Sequence, residues 1–180
     1  FVVGMESKSR HEIKNNNLEI VWTGPNKISS GIRNTKPVIE EMLKSANVDE
    51  KVILVDYMIT SNAESIVDEL NSCLNDGVKV DLILDNNSKN RKHLRICFAE
   101  KSLTRPRIFI RKEKESAFYK VHAKMVIVGD REMLLTSANL TELGTEVNFE
   151  MGLLVSGPIV SDMVSLLSKM IEDKYFEEVD

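Results

Sequence analysis

The sequence has few cysteines, no long apolar run and no recognisable leader, and each absence narrows the class of protein. Two cysteines, Cys73 and Cys97, are too few for the disulfide framework of a small secreted domain. No apolar stretch approaches the roughly 20 residues that a membrane-spanning helix needs, and no secretory signal is recognisable. We therefore expect a cytoplasmic protein without a membrane partner. Because the chain starts at Phe1 rather than Met, we also expect residues to be missing upstream.

Recognisable metal-binding patterns are absent as well. The sequence has no cluster of carboxylates suited to Mg²⁺ and no Cys/His spacing suited to Zn²⁺. We therefore expect no cofactor, and any chemistry should proceed without a metal.

The apolar residues that are present predict alternating strands and helices. Residues 1–17 are polar and read as a lead-in, and 18–180 are long enough for one domain with its own core. Short β-branched or alternating runs predict strands at 18–23, 51–59, 78–85, 107–111, 122–128, 132–137 and 148–156. Helical spacing predicts helices at 35–46 (with Thr35 as candidate N-cap), 63–77, 87–99 and 158–176. This order predicts an α/β fold with a mixed, mostly parallel sheet flanked by helices.

Charge is unevenly distributed along the chain. Residues 87–124 carry twelve Lys or Arg and three acidic residues, although the net charge of the whole chain is −4. A basic segment of this kind suits a polyanion such as nucleic acid, because neutralising phosphates dominates such binding. A solvated basic face explains the segment equally well at this point. The candidate nucleic-acid-binding residues are Arg105, Arg107, Arg111 and Lys112.

Four polar side chains late in the sequence suit phosphate chemistry. His122 and Lys124 are two residues apart in a predicted strand, so they project from the same side. Ser137 and Asn139 have the same spacing, and the predicted hairpin places them beside the first pair. An imidazole can act as nucleophile or proton carrier, and the other three groups can donate to the oxygens of an anion. Taken singly, each residue also has an ordinary structural explanation.

The order of these residues resembles the HKD signature of the phospholipase D superfamily, in its endonuclease-like branch. The matching stretches are "HAK" at 122–124, "SANLT" at 137–141 and "NFE" at 148–150. The resemblance implies a phospholipase D-like fold and a nucleophilic His122 that forms a phosphohistidine intermediate. It implies that Glu150 orients His122. It also implies that Lys124, Ser137 and Asn139 bind the phosphate. Asn148 matches a supporting position of the same pattern.

Two positions depart from the family pattern, and the second His-x-Lys motif that the family uses is missing from this sequence. Gly129 stands where the family has Asp, with Asp130 one residue later, and Thr136 replaces a Gly. Members of the family use two such motifs for each active site, whereas His11 and His93 lack the following Lys. The resemblance therefore implies a homodimer with a shared active site.

A narrower similarity points to the phospholipase D-like components of DISARM anti-phage systems. It rests on "VWTGP" at 21–25, on Arg33-Asn34-Thr35 and on the motif region, and extends over about residues 18–176. It implies a nuclease in phage defence that acts on DNA ahead of RNA, with other defence subunits as candidate partners. Two alternatives stay open: a catalytically weak nucleic-acid-binding or assembly subunit, and a phospholipase.

Overall fold

The computed structural model describes residues 16–25, 31–86, 88–98, 104–112 and 120–179. Within these ranges the strands are β1 (Asn17–Thr23), β2 (Arg33–Asn34), β3 (Lys51–Asp56), β4 (Lys79–Leu84), β5 (Arg107–Arg111), β6 (Met125–Val128), β7 (Glu132–Thr136), β8 (Glu150–Ser156) and β9 (Phe176–Val179). The helices are α1 (Thr35–Lys44), α2 (Glu64–Asn75), α3 (Ser88–Phe98) and α4 (Pro158–Glu172), with a π-helical turn at Leu143–Val147. Of the predicted lead-in, residues 1–15 lie outside the described ranges.

The nine described strands form one sheet in the order β2-β1-β8-β7-β6-β3-β4-β5-β9. The prediction of a mixed sheet flanked by helices is confirmed, but its parallel share is smaller than predicted. Among the described strands, only β1–β2, β3–β4 and β4–β5 pair in parallel, and the other five pairings are antiparallel. One antiparallel pairing has a simple physical reason. β7 follows β6 through a tight turn, and such a turn can join only antiparallel neighbours.

Helices cover both faces of the sheet. Alternate residues of β3 point to opposite sides, as strand geometry requires. Val52 and Leu54 join the apolar cluster formed with α1, α2 and α3. Ile53 and Val55 join a second cluster formed with α4. The two clusters therefore make a three-layer structure with the sheet in the middle.

Several predicted boundaries are corrected by the structure, including that of the strand predicted at 51–59, which ends at Asp56. Thr35 is the first residue of α1 and Asn34 precedes it as the cap, so Thr35 is not the N-cap. The strand predicted at 122–128 begins only at Met125. The helix predicted to reach residue 176 ends at Glu172, because Lys174 takes a left-handed conformation (φ 66°) and Phe176 begins β9, which pairs with β5.

One part of the sheet carries large apolar side chains that no described element covers. Ile20 in β1 and Leu135 in β7 both lie beside Leu153 in β8, and these side chains are 56%, 42% and 40% exposed. Further along, Met151 in β8 is 74% exposed and lies opposite Trp22. We call this surface the apolar face; it consists of Leu18, Ile20, Leu135, Met151 and Leu153. Exposed apolar surface of this kind is typical of interaction sites.

In the described part of the chain, no helix is both long enough and apolar enough to cross a membrane.

Candidate active site

The predicted site residues come together at one edge of the sheet because of strand direction. β3 and β7 end at this edge, at Asp56 and Thr136, and Ser137 follows β7 directly. β6 and β8 run the opposite way, so they begin there, at Met125 and Glu150. Residues as far apart in the sequence as Asp56 and Glu150 thereby reach one surface.

His122 and Lys124 do meet, although by a different route from the predicted one. Both precede β6, so strand alternation does not align them. Instead the Lys124 side chain folds back: its Nζ donates to the carbonyl oxygen of His122 (2.8 Å) and lies 3.0 Å from His122 Nδ1. His122 is exposed, whereas Lys124 is only 6% exposed. The result is an accessible imidazole backed by a buried ammonium group.

Tyr57 forms one wall beside the imidazole. Its ring centroid lies 5.7 Å from that of His122, with the ring planes tilted by 42°. Tyr57 follows β3 immediately, so the same sheet edge supplies it. Nothing in the sequence marks this residue as part of a site, since a single tyrosine after an apolar strand carries no signal of its own.

Ser137, Asn148 and Glu150 form a small hydrogen-bonded group at the same edge. Ser137 Oγ donates to Glu150 Oε2, and Asn148 Nδ2 donates to Glu150 Oε1 at 3.2 Å. Ser137 Oγ also accepts the backbone N–H of Met151 at 3.1 Å. The described contacts of Glu150 include no hydrogen bond to His122. Its role in orienting His122 therefore stays a prediction.

Asn139 sits in a turn that Asp56 and Gly144 hold in place. Asp56 Oδ2 accepts the backbone N–H of Leu140 at 2.7 Å, and Oδ1 accepts that of Met58 at 2.9 Å. A Cβ on Gly144 would collide with the carbonyl oxygen of Asn139, so only glycine allows this close approach. The buried Oδ1 of Asn139 has no hydrogen-bond partner among the described residues.

Asp56 is the most strongly perturbed acid near the site. Burial raises the pKa of its carboxyl to about 7, while the backbone N–H donors and the Lys124 ammonium oppose the rise. Asp56 could not be identified from the sequence, because a carboxylate at the end of an apolar strand usually marks only the end of the strand.

The two departures from the family pattern have different locations. Gly129 follows β6 at the opposite edge of the sheet, where its φ of 56° suits glycine and Glu50 is its neighbour. Thr136 lies at the site edge, and its Oγ1 accepts the backbone N–H of Ala138 at 3.1 Å. Thr136 therefore fits the turn that leads to Asn139, and Gly129 lies away from the site.

The four predicted nucleic-acid-binding residues are not equivalent. Arg107 donates to both oxygens of Asp81, at 2.8 and 2.7 Å, so its charge is largely neutralised. Arg111 Nε lies 3.5 Å from Asp85 Oδ1. Arg105 is exposed and has no ion pair with any described residue. Lys112 is half-buried at the end of β5, where its backbone N–H donates to Tyr175 at 3.2 Å.

Among the described residues, no group of three or more His, Cys, Asp or Glu side chains could hold a metal ion.

Most of the chain matches a known protein family. Residues 39–174 match the family described as "Cardiolipin synthase, PLD-like domain". The chain therefore belongs to the phospholipase D-like family, and the resemblance inferred from the HKD residues is confirmed.

A more particular relative is the DISARM protein DrmC of Bacillus paralicheniformis. The chain is 25% identical to it over 162 residues, which cover 90% of this chain and 66% of DrmC. The chain thus spans slightly less than two thirds of that relative. The match confirms the narrower similarity to DISARM components.

Solved structures share the fold. The phospholipase D family member Nuc from Salmonella typhimurium superposes with a TM-score of 0.66 at 16% identity. NucT from Helicobacter pylori gives 0.62 at 20% identity. Both matches cover 91% of this chain and 98% of the other. Phosphatidylserine synthase from Haemophilus influenzae gives 0.64 at 15% identity, covering 91% of this chain and 40% of that one. At these identities the likeness establishes the fold.

Proposed function

We propose that the chain is a metal-independent phosphodiesterase that cleaves nucleic acid, DNA ahead of RNA, in bacterial defence against phage. The observation that carries the proposal is the exposed imidazole of His122 against the buried ammonium of Lys124. Ser137 and Asn139 lie at the same sheet edge. Family membership supports phosphodiester chemistry, and the similarity to a DISARM protein supports the role in defence.

The proposed reaction has two steps. A ring nitrogen of His122 attacks phosphorus, an N–P bond forms, the bond to the leaving oxygen breaks, and that oxygen takes a proton. Water then attacks the phosphohistidine, gives up a proton, and releases a phosphate monoester and the imidazole. Lys124 and Asn139 donate to the phosphate oxygens, where negative charge develops. Glu150 and Ser137 shape the adjoining wall through their mutual hydrogen bond.

The leaving oxygen needs a proton donor, and we assign this role to His122 of a second copy. The chain has a single His-x-Lys motif, and general acid and nucleophile require opposite protonation states. The apolar face supports a partner copy at this position because it reaches the site: the backbone N–H of Met151 donates to Ser137 Oγ. Contact between the apolar faces of two copies would remove both faces from water, which favours the dimer.

The decisive test of the activity is cleavage of labelled single- and double-stranded DNA and RNA, with EDTA present. We expect cleavage by the wild-type protein and loss of at least about 1000-fold in His122→Ala, since the nucleophile is gone. His93→Ala is the matched control, because His93 lies in α3 and contacts Ser61. Acid-labile labelling of the protein that disappears in His122→Ala would identify the phosphohistidine.

Other outcomes of the same test would select the alternatives. Turnover of phospholipid without nucleic-acid cleavage would favour the phospholipase. Full protection against phage by His122→Ala in cells would favour the assembly subunit.

The second copy is tested by the oligomeric state. Leu153→Glu places a charge in the apolar face and should convert a dimer into a monomer with little cleavage, measured by light scattering and by rate. Leu166→Glu is the matched control, since Leu166 is an exposed leucine of α4 outside this face. A wild-type monomer that cleaves at full rate would contradict the shared site.

A further inference from the structure

A cavity of about 720 Å³ lies between α3 and β5, at the side of the sheet away from the apolar face. Leu94 and Phe98 of α3 and Ile108 of β5 line it with apolar surface. Arg95 and Arg105 also line it, and both are exposed. A volume in this range is typical of pockets that take a small organic group.

Hydrogen bonds connect the wall of this cavity to the proposed active site. Asp85 lines the cavity, and its Oδ1 accepts the backbone N–H of Val121, the residue before His122, at 3.1 Å. Asn90 also lines it, and its Nδ2 donates to the carbonyl oxygen of Tyr57 at 3.0 Å. The end of the cavity formed by Asp85 and Asn90 is thereby linked to Tyr57 and His122, whose rings lie side by side.

The cavity extends from this end toward the opposite edge of the sheet. Arg105 lies there because it precedes β5, whose first residue, Arg107, pairs with Asp81 near the start of β4. Arg105 is therefore separated from His122 by the length of β5.

The charges around the cavity indicate what kind of ligand it suits. The acidic Asp85 faces Arg111 and Lys120, at 3.5 and 3.8 Å, which offset its charge. At the other end of the cavity, Arg107 donates hydrogen bonds to Asp81 and also lies near the carboxylate of Glu178.

Arg95 and Arg105 have no ion pair with any described residue, so they supply the positive charge that is left for a ligand. An apolar floor beside two available guanidinium groups suits a base next to a phosphate.

We propose that this cavity binds a nucleoside of the substrate strand that is several nucleotides away from the scissile phosphate. Its base packs on Leu94, Phe98 and Ile108, and Arg95 and Arg105 hold the phosphate next to that nucleoside. The inference rests on the proposed function, because it takes His122 as the point of attack. It goes beyond that function by assigning the recognition of a nucleic-acid strand to particular residues outside the motif.

The test compares two phosphodiester substrates, only one of which can extend from His122 to the cavity. A labelled DNA strand long enough to reach Arg105 has several nucleosides on each side of the cleaved phosphate, whereas bis(4-nitrophenyl) phosphate has no neighbouring phosphate to bind. The variant carries Arg95→Ala together with Arg105→Ala. The control carries Lys44→Ala together with Lys169→Ala, which removes the same charge from exposed positions in α1 and α4, away from the cavity.

We expect the arginine variant to lose at least about tenfold in kcat/KM on the DNA strand, mainly through KM, because binding rather than chemistry is weakened. Its rate on bis(4-nitrophenyl) phosphate should stay within about twofold of wild type, and the lysine control should match wild type on both substrates. Equal losses on both substrates, or no loss on either, would overturn the proposal.

Failure of the proposed function gives a different result. If the wild-type protein cleaves neither substrate, fluorescence anisotropy with the same strand decides the question about the cavity. Weaker binding of the strand by the arginine variant alone would support the cavity assignment without any catalysis. Unchanged binding of the strand, with weakened binding of a short-chain phospholipid, would overturn it in favour of a lipid.

Discussion

Replacing Asp56 with asparagine should change how the stability of the protein depends on pH. The carboxyl of Asp56 is buried, and its pKa is raised from 3.8 to about 7. An acid with a raised pKa holds its proton more tightly when folded, so the folded state loses stability as pH rises between these two values. Above about pH 7 the loss is complete, and below pH 3.8 it is absent. Asparagine does not titrate, so Asp56→Asn lacks this contribution.

The expected size follows from the same two values. The shift is roughly three pKa units, and one unit corresponds to about 1.36 kcal/mol, so the full contribution is roughly 4 kcal/mol. Between pH 4.5 and 8.5, roughly 3 kcal/mol of it should be seen. The measured quantity is the free energy of unfolding of wild type minus that of Asp56→Asn. This difference should fall across the range, whatever its absolute value.

Urea denaturation at a series of pH values measures this difference. The single tryptophan, Trp22, is half-buried in β1 and provides the fluorescence signal. Glu50→Gln is the control: Glu50 also accepts a backbone N–H, that of Asn47 at 2.9 Å, but at the opposite sheet edge, and its pKa is lowered. Its wild-type-minus-variant difference should rise rather than fall with pH. A constant difference for Asp56→Asn, within about 0.5 kcal/mol, would refute the reasoning.

Three further outcomes are expected. Arg107→Ala should lower the free energy of unfolding by roughly 1–3 kcal/mol, because the buried carboxylate of Asp81 loses a bidentate partner. The affinity for a DNA strand, measured by fluorescence anisotropy, should change less than twofold. A large loss of affinity without destabilisation would contradict this expectation. Gly144→Ala should reduce cleavage at least about tenfold by displacing Asn139, and a normal rate in a folded variant would show that the turn tolerates a Cβ. Dialysis against EDTA should leave the cleavage rate unchanged, and its loss with recovery on adding Mg²⁺ would contradict the metal-independent reaction of His122.

The pattern of apolar residues predicted most of the fold because the central strands β3 and β4 are buried on both faces of the sheet. Strands such as β4 and β5 are short apolar runs, and their bounds differ little from the predicted ones. β9 was missed because Phe176 continues the apolar spacing of α4. Only its burial against the sheet and its pairing with β5 distinguish a strand from another helical turn.

The candidate site was predictable where its residues are close in sequence. The spacing of His122 and Lys124 indicated that they act together, and they are in contact. Asp56 could not be found in this way, because its partner Leu140 is 84 residues away and the contact depends on how two strand ends meet. Likewise, the sequence placed Arg107 among the nucleic-acid-binding residues, since charge alone does not reveal that Asp81 neutralises it.

The short strand β9 also has a practical consequence for handling the protein. It pairs with the side of β5 that faces away from β4, so a shortened version ending at Glu172 would leave the backbone N–H and C=O groups on that side of β5 without partners. An exposed edge strand of that kind pairs readily with another chain and promotes aggregation. Purification handles are therefore better attached beyond Val179 than substituted for the last eight residues.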